Sequence, residues 1–313
     1  MSPVVASSKQ SIARGSKSFS AAARLLAPGM RESTSLLYAW CRHCDDVIDD
    51  QILGFASQTE SSLSPQACLD HLYAQTREAL AGNHCTEMPF QALQRVAARH
   101  DIPHKYPIEL IDGMAMDVIA RPYRTLEDLL DYCYHVAGVV GVMMAMVMGV
   151  KDRAALIRAA DLGIAFQLTN ISRDVIEDAA NGRCYLPSRW LDEAGIPPGE
   201  VTLLRHRPAV ARVVCRLLSI AEPYYGSARK GLRYLPFRAG WAIATAKGVY
   251  SDIGKRVLAR GPQAWDSRIS TGKSHKLYWT IAGLAIALQA RSLDRLTSPG
   301  PRPDLWMKPD FSA

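Results

Sequence analysis

Strand signals are almost missing from this chain. No run of alternating Val, Ile and Thr bounded by turn dipeptides occurs, which removes sandwiches, barrels and parallel-sheet architectures from consideration. No G-x-G-x-x-G follows a strand, so a Rossmann-type nicotinamide site has no foundation. Long apolar runs are missing too. The longest, "VAGVVGVMMAMVMGV" at 136–150, has 15 residues, short of the ~20 that span a bilayer. "LYWTIAGLAIALQA" at 277–290 is also too short to span, although it could lie on a membrane surface. The net charge is +7 with a pI near 9.1, yet Lys and Arg are scattered with no block of five or six. That leaves a nucleic-acid footprint unsupported and points instead to anionic lipid or phosphorylated small molecules. The seven Cys are odd in number and spread out, and "MSPVVASSKQSIARG" has no apolar core of a signal peptide. Both features fit a reducing cytosol.

What is present is helix. Hydrophobic residues make up 48% of 313 positions, enough for a large core. Their helical spacing predicts helices near 19–25, 31–50, 65–81, 88–99, 106–119, 125–148, 153–179, 208–230, 238–260 and 275–294. Breakers such as "APG" (27–29), "AGN" (81–83), "RPY" (121–123) and "GIPPGE" (195–200) separate them. One all-α domain over 1–295 is the economical reading. The Pro-rich segment 296–313 is expected to be an extended or disordered tail.

Two acidic clusters stand out on these helices. In "CRHCDDVIDD" (41–50), Asp45 and Asp49 share one side of a helix, and Asp46 and Asp50 share another about 100° away. In "QLTNISRDVIEDAANGR" (167–183), Asn170, Asp174 and Asp178 form one polar stripe at i, i+4, i+8. Carboxylates four apart on a helix repel by about a few tenths of a kcal/mol even in water, and by more in a cleft. A divalent cation relieves that repulsion, and Mg²⁺ shares its shell between carboxylates, water and phosphate oxygens. Each cluster alone reads equally well as a solvated acidic face. Two of them, each on apolar helix and each beside an Arg (Arg42, Arg173), fit a cavity mouth that holds metal ions against a diphosphate. The apolar remainder of such a cavity suits a hydrocarbon tail.

The motifs "GSKSF" (15–19), "LYAWCRHCDDVIDD" (37–50), "GMAMDV" (113–118), "YCYHVAGVVG" (132–141), "AFQLTNISRDVIEDAANGRCYLP" (165–187) and "WAIATAKGVY" (241–250) occur in an order and spacing that resembles the squalene/phytoene synthase family of head-to-head prenyl transferases, over roughly residues 10–290. The likeness is greatest to its bacterial carotenoid-forming branch. The resemblance implies an isoprenoid-synthase-type helical bundle around a central cavity, with Mg²⁺ or Mn²⁺ at its mouth. It implies condensation of two geranylgeranyl diphosphates to phytoene through a cyclopropyl diphosphate. The alternative within the family is a dehydrosqualene or squalene synthase using farnesyl diphosphate. Carried over by position, Asp45, Asp49, Asp174 and Asp178 are the acidic motifs, with Asn170 as a further metal ligand. Ser16, Lys17, Ser18, Tyr38, Arg42, Gln167 and Arg173 match diphosphate contacts, and Tyr132 matches a tyrosine implicated in the chemistry of squalene-forming members. Phytoene formation ends in proton loss, so no NADPH is expected. Contact with membrane lipid and with other carotenoid enzymes is expected at the periphery only.

Some members of the family carry a tyrosine ahead of a late Arg. Here "RGPQAWDSR" (260–268) offers only Trp265, and no residue is carried over from it. Cys41-x-x-Cys44 lacks a second pair for zinc and a thioredoxin-like context. "STGKS" (270–274) lacks the upstream Gly of a phosphate loop, and no strand precedes it. His43 and His135 read as structural, and "RKGLRYLPFR" (229–238) as a solvated basic face.

Overall fold

The computed structural model describes residues 2–15, 17–48, 51–52, 55–56 and 64–308; for 17–18, 51–52 and 55–56 the backbone alone is described. The helices are α1 (Pro3–Gly15), α2 (Lys17–Ala23), α3 (Pro28–Ile48), α4 (Pro65–Leu80), α5 (Met88–His100), α6 (Lys105–Val118), α7 (Leu126–Cys133), α8 (Val139–Val147), α9 (Arg153–Ala180), α10 (Ser188–Glu193), α11 (Arg207–Gly231), α12 (Phe237–Arg260) and α13 (Lys273–Arg291). A π-helical stretch, Tyr134–Gly138, joins α7 to α8. A two-residue antiparallel pair, β1 (Gln51–Ile52) with β2 (Phe55–Ala56), follows α3.

The starts of the helices are chemically marked. Pro28 opens α3, where a missing N–H costs nothing because the first turn has no partner for it. The expected break at 27–29 is therefore a helix start. Ser64 caps α4, with its side chain accepting from the Ala67 N–H at 3.2 Å. Thr125 and Asp128 form a reciprocal capping box on α7. Asp152 caps α9, accepting from the Ala155 N–H at 2.8 Å. Two helices escape the sequence reading. In α1 the buried positions are Val4, Val5, Ser8 and Ile12, so a serine interrupts a short apolar stripe. The helix α10 has six residues and buries only Trp190 and Leu191.

The helix α9 is the axis of the bundle, packing against α11, α8, α12 and the π stretch. Trp40, Phe90, Leu93, Leu110, Ile111, Leu129 and Met143 are fully enclosed in the core. Small residues let the π stretch and α8 lie directly on α9. A Cβ on Gly163 would sit 2.1 Å from the Ala137 carbonyl oxygen, and one on Gly141 would sit 2.3 Å from that of Ala159. The helical run Leu126–Val147 is long and apolar enough to cross a membrane by composition, but 61% of its most apolar window is buried inside the fold. It is a core helix.

Past α13 the chain adopts neither helix nor strand over 297–308, yet it is firmly docked. Arg302 grips Asp161 with two nitrogens at 2.7 and 3.0 Å. Arg158 donates to the Gly300 carbonyl at 3.1 Å. Lys308 reaches Glu109 at 2.7 Å, and Trp306 lies edge-on to Tyr134.

Candidate active site

Among the described residues the bundle surrounds a cavity of about 940 Å³, at the upper end of the range for small-molecule sites. Its mouth collects residues from distant parts of the chain: Arg14, Tyr38, Arg42 and Asp45 on one side, Gln167, Asn170 and Arg173 on α9, and Arg268 and Lys273 beyond α12. Below the charges stands a layer of aromatic rings. Phe166 stacks on Tyr250 at 4.1 Å, and Phe19 lies 6.2 Å from Tyr38. Deeper still the lining is Met114, Val136, Val140, Met144, Met148 and Leu162. One end of the cavity suits a polyanion, and the rest suits hydrocarbon.

The structure separates the roles of Asp45 and Asp46 on α3. Asp45 faces the cavity. Asp46 is nearly buried and serves as an anchor, accepting from Arg42 Nε at 3.0 Å and Nη2 at 2.8 Å. The same guanidinium reaches Asp45 at 2.9 Å. On α9, Arg173 Nε donates to Asp174 at 2.7 Å, and Arg268 approaches the same carboxylate at 3.7 Å. Asn170 donates to Gln167 at 3.3 Å. Asp174 and Asp178 follow Asn170 by one and two turns without lining the cavity itself. Ser16 and Asp49 lie outside the described residues, as do the side chains of Lys17 and Ser18.

Burial, and then the charges of Asp174 and Glu177, push the Asp178 carboxyl up to about 7. A carboxylate crowded in this way gains from a cation beside it. Among the described residues no three acidic, His or Cys side chains converge on one point. Asp45 and the Asn170–Asp174–Asp178 stripe therefore do not form a closed cage. They fit Mg²⁺ or Mn²⁺ held by one or two carboxylates, with water and substrate phosphate completing the shell.

Farther down the cavity wall, Tyr132 donates to Asp117 Oδ2 at 3.0 Å, and Tyr185 donates to Asp117 Oδ1 at 3.0 Å. The two rings stack at 4.9 Å and 17°. Burial, reinforced by the Asp117 charge, drives the Tyr132 phenol well above its ordinary pKa, so it stays protonated. Tyr132 and Asp117 both line the cavity.

Sequence reasoning missed Asp117, Tyr185, Tyr250, Arg268 and Arg14. The first three fall inside motifs quoted above and were findable there. Arg268 lies in the segment set aside for want of a tyrosine. Its role emerges only because the turn after α12 brings it to Asp174.

The squalene/phytoene synthase family profile matches residues 12–278. A 15-cis-phytoene synthase of Paracoccus sp. is 53% identical over 99% of this chain and 99% of its own length. That of Pantoea ananas is 49% identical over 96% of each. Among solved structures, a dehydrosqualene synthase with bound ligand superposes with a TM-score of 0.80 at 24% identity, covering 90% of this chain and 95% of that one. The all-α fold with its charged-mouthed cavity and the near full-length relatedness agree: the chain belongs to the squalene/phytoene synthase family.

Proposed function

We propose that this chain condenses two geranylgeranyl diphosphates head to head, giving phytoene by way of prephytoene diphosphate, with residues 1–295 acting as one catalytic domain. The observation that carries the reading is a single cavity whose cationic and acidic mouth opens onto a hydrocarbon-lined interior, in a chain about half identical to 15-cis-phytoene synthases over nearly its whole length.

Arg42, Arg173 and Arg268 are placed to hold diphosphate oxygens, with Lys17, Ser16, Ser18, Tyr38 and Gln167 as further contacts. A divalent cation at Asp45, Asp49, Asn170, Asp174 and Asp178 supplies the charge that stabilises departing diphosphate. In the first half-reaction one allylic C–O bond breaks. The double bond of the second substrate attacks the cation, and a proton leaves as the cyclopropane closes. In the second half the remaining diphosphate departs, the skeleton rearranges, and loss of a final proton gives the hydrocarbon. The aromatic layer of Phe19, Phe166 and Tyr250 offers π-faces to the cations, and the apolar walls keep water away from them. Tyr132 and Tyr185 fix the Asp117 carboxylate against the wall. There it lies where a proton lost from the cation is received, the phenols themselves remaining neutral.

No hydride enters this balance. Purified protein with geranylgeranyl diphosphate and Mg²⁺ or Mn²⁺ should yield phytoene, with NADPH changing neither rate nor product. Product only from farnesyl diphosphate, or a reduced hydrocarbon formed with NADPH, would move the chain to the squalene side of the family.

The same reading places the protein in the cytosol, leaning on a membrane surface that takes up the product and supplies it to later carotenoid enzymes. Support comes from α13, where Leu277, Ile281 and Leu288 line up along one exposed face with Tyr278 beside them, beneath the basic Lys273 and ahead of Arg291 and Arg295. Flotation with anionic liposomes at low salt should carry the protein upward. A protein that stays at the bottom with every lipid mixture removes the membrane contact.

A further inference from the structure

We infer that Arg158, fixed by the docked segment 297–308, is the floor of the cavity and sets the length of prenyl chain it accepts. The inference rests on the prenyl diphosphate reading above and deepens it. Both ends of the cavity are marked on α9. Arg173 stands at the mouth and Arg158 stands fifteen residues earlier, about 22 Å along the helix axis. Between them the α9 positions facing the cavity are Ala159, Leu162, Gly163, Phe166, Gln167 and Asn170, so the deeper part of this wall is apolar up to Arg158, with Ala155 beside it at the same end. At Arg158 the lining changes to a charged residue that is only 4% exposed.

Its guanidinium is held by protein on two of its nitrogens. It donates to Ser227 Oγ at 3.1 Å, to the Ser227 carbonyl at 3.4 Å and to the Gly300 carbonyl at 3.1 Å. Its stem is pressed against α11, where a Cβ on Gly231 would lie 3.0 Å from the Arg158 Cβ. A terminal methyl group arriving from the mouth would have to strip these hydrogen bonds from a buried charge, which costs far more than displacing an aliphatic side chain. The partners are themselves locked. Ser227 donates to Asp161 at 2.5 Å, Asp161 is held by Arg302, and the Tyr224 hydroxyl donates to the Trp306 carbonyl. The segment 297–308 thus backs the floor from behind without lining the cavity itself.

Three variants test this in a competition assay with geranylgeranyl diphosphate and its homologues one isoprene unit shorter and one longer, reading the ratio of hydrocarbon products. Arg158→Ala deepens the floor and should raise the share of the longer substrate about tenfold or more, the scale on which one hydrocarbon increment is discriminated in a pocket. A chain ending at residue 296 should shift the ratio the same way. Ala155→Leu, which fills the same end, should shift it toward the shorter substrate. Circular dichroism identifies a truncation that does not fold, in which case the two point variants decide. Ratios equal to wild type in both point variants would overturn the inference while leaving the catalytic reading standing. Absence of hydrocarbon from wild type with all three substrates would overturn both.

Discussion

At the mouth, Arg42 and Arg173 hold acidic neighbours on their own helices, one to four residues away. At the floor, Arg158 and Arg302 are held by groups 69 to 142 residues distant. Both regions pair guanidinium with carboxylate, but the pairs do different work. A partner on the same helix can give way to a ligand without unfolding anything, because the backbone hydrogen bonds of that helix do not depend on it. Partners brought together by tertiary structure cannot be exchanged in this way: removing one leaves a charge buried at 1% exposure in the case of Asp161. The mouth is arranged for exchange and the floor for permanence.

The sharpest way to break the comparison is Arg302→Ala. Stripping a buried carboxylate of its bidentate partner costs about 3–5 kcal/mol, and the expected outcome is a large fall in the urea midpoint with an unchanged slope. Asp45→Asn and Asp174→Asn come next and should behave oppositely. Turnover falls about a hundred- to a thousandfold, or roughly 2.7–4 kcal/mol of transition-state stabilisation, while the urea midpoint barely moves. A collapse of stability in these variants would mean that the mouth carries structural load after all. Tyr132→Phe, halfway down, keeps the ring and loses a hydrogen bond to a charged group, worth about 1.5–3 kcal/mol. Steady-state product formation should fall about ten- to a hundredfold, with the cyclopropyl diphosphate accumulating if the loss falls in the second half-reaction. The smallest effect belongs to a pair outside both regions. Arg99 meets Glu32 at 3.5 Å on the open surface, and Arg99→Ala should change stability by less than about 0.5 kcal/mol and leave turnover unaltered.

The same contrast explains what could be read from the sequence. That Asn170, Arg42 and Arg173 reach one cavity was legible because their surroundings are periodic: Asn170, Asp174 and Asp178 share one helix face, and Arg42 and Arg173 sit beside the acids they hold. The helices were legible for the same reason, since the apolar stripes of α3, α9 and α11 repeat within a single window. The Pro-rich run after α13 announces only that helix ends there. Nothing near Arg302 in the sequence points to Asp161, and nothing near Arg158 points to Gly300. Arg268 fell between these cases, close to a motif but paired through a turn that only packing specifies. That Asp46 anchors Arg42 while its neighbour Asp45 lines the cavity is likewise a matter of packing.

The π stretch at Tyr134–Gly138 corrects a phase error. In an α-helix four residues overshoot a full turn by about 40°, so side chains spaced by four wander about 120° over twelve residues. Yet Tyr132, Val136, Val140 and Met144 all reach the same cavity. The wider turn, closed by i to i+5 hydrogen bonds, takes up the accumulated rotation and keeps the four in file. It acts as a vernier between α7, which aims the tyrosine, and α8, which must still present Gly141 to the backbone of α9. Removing one residue from this stretch would turn the two scales against each other, so that either the phenol or the glycine contact, but not both, stays in register.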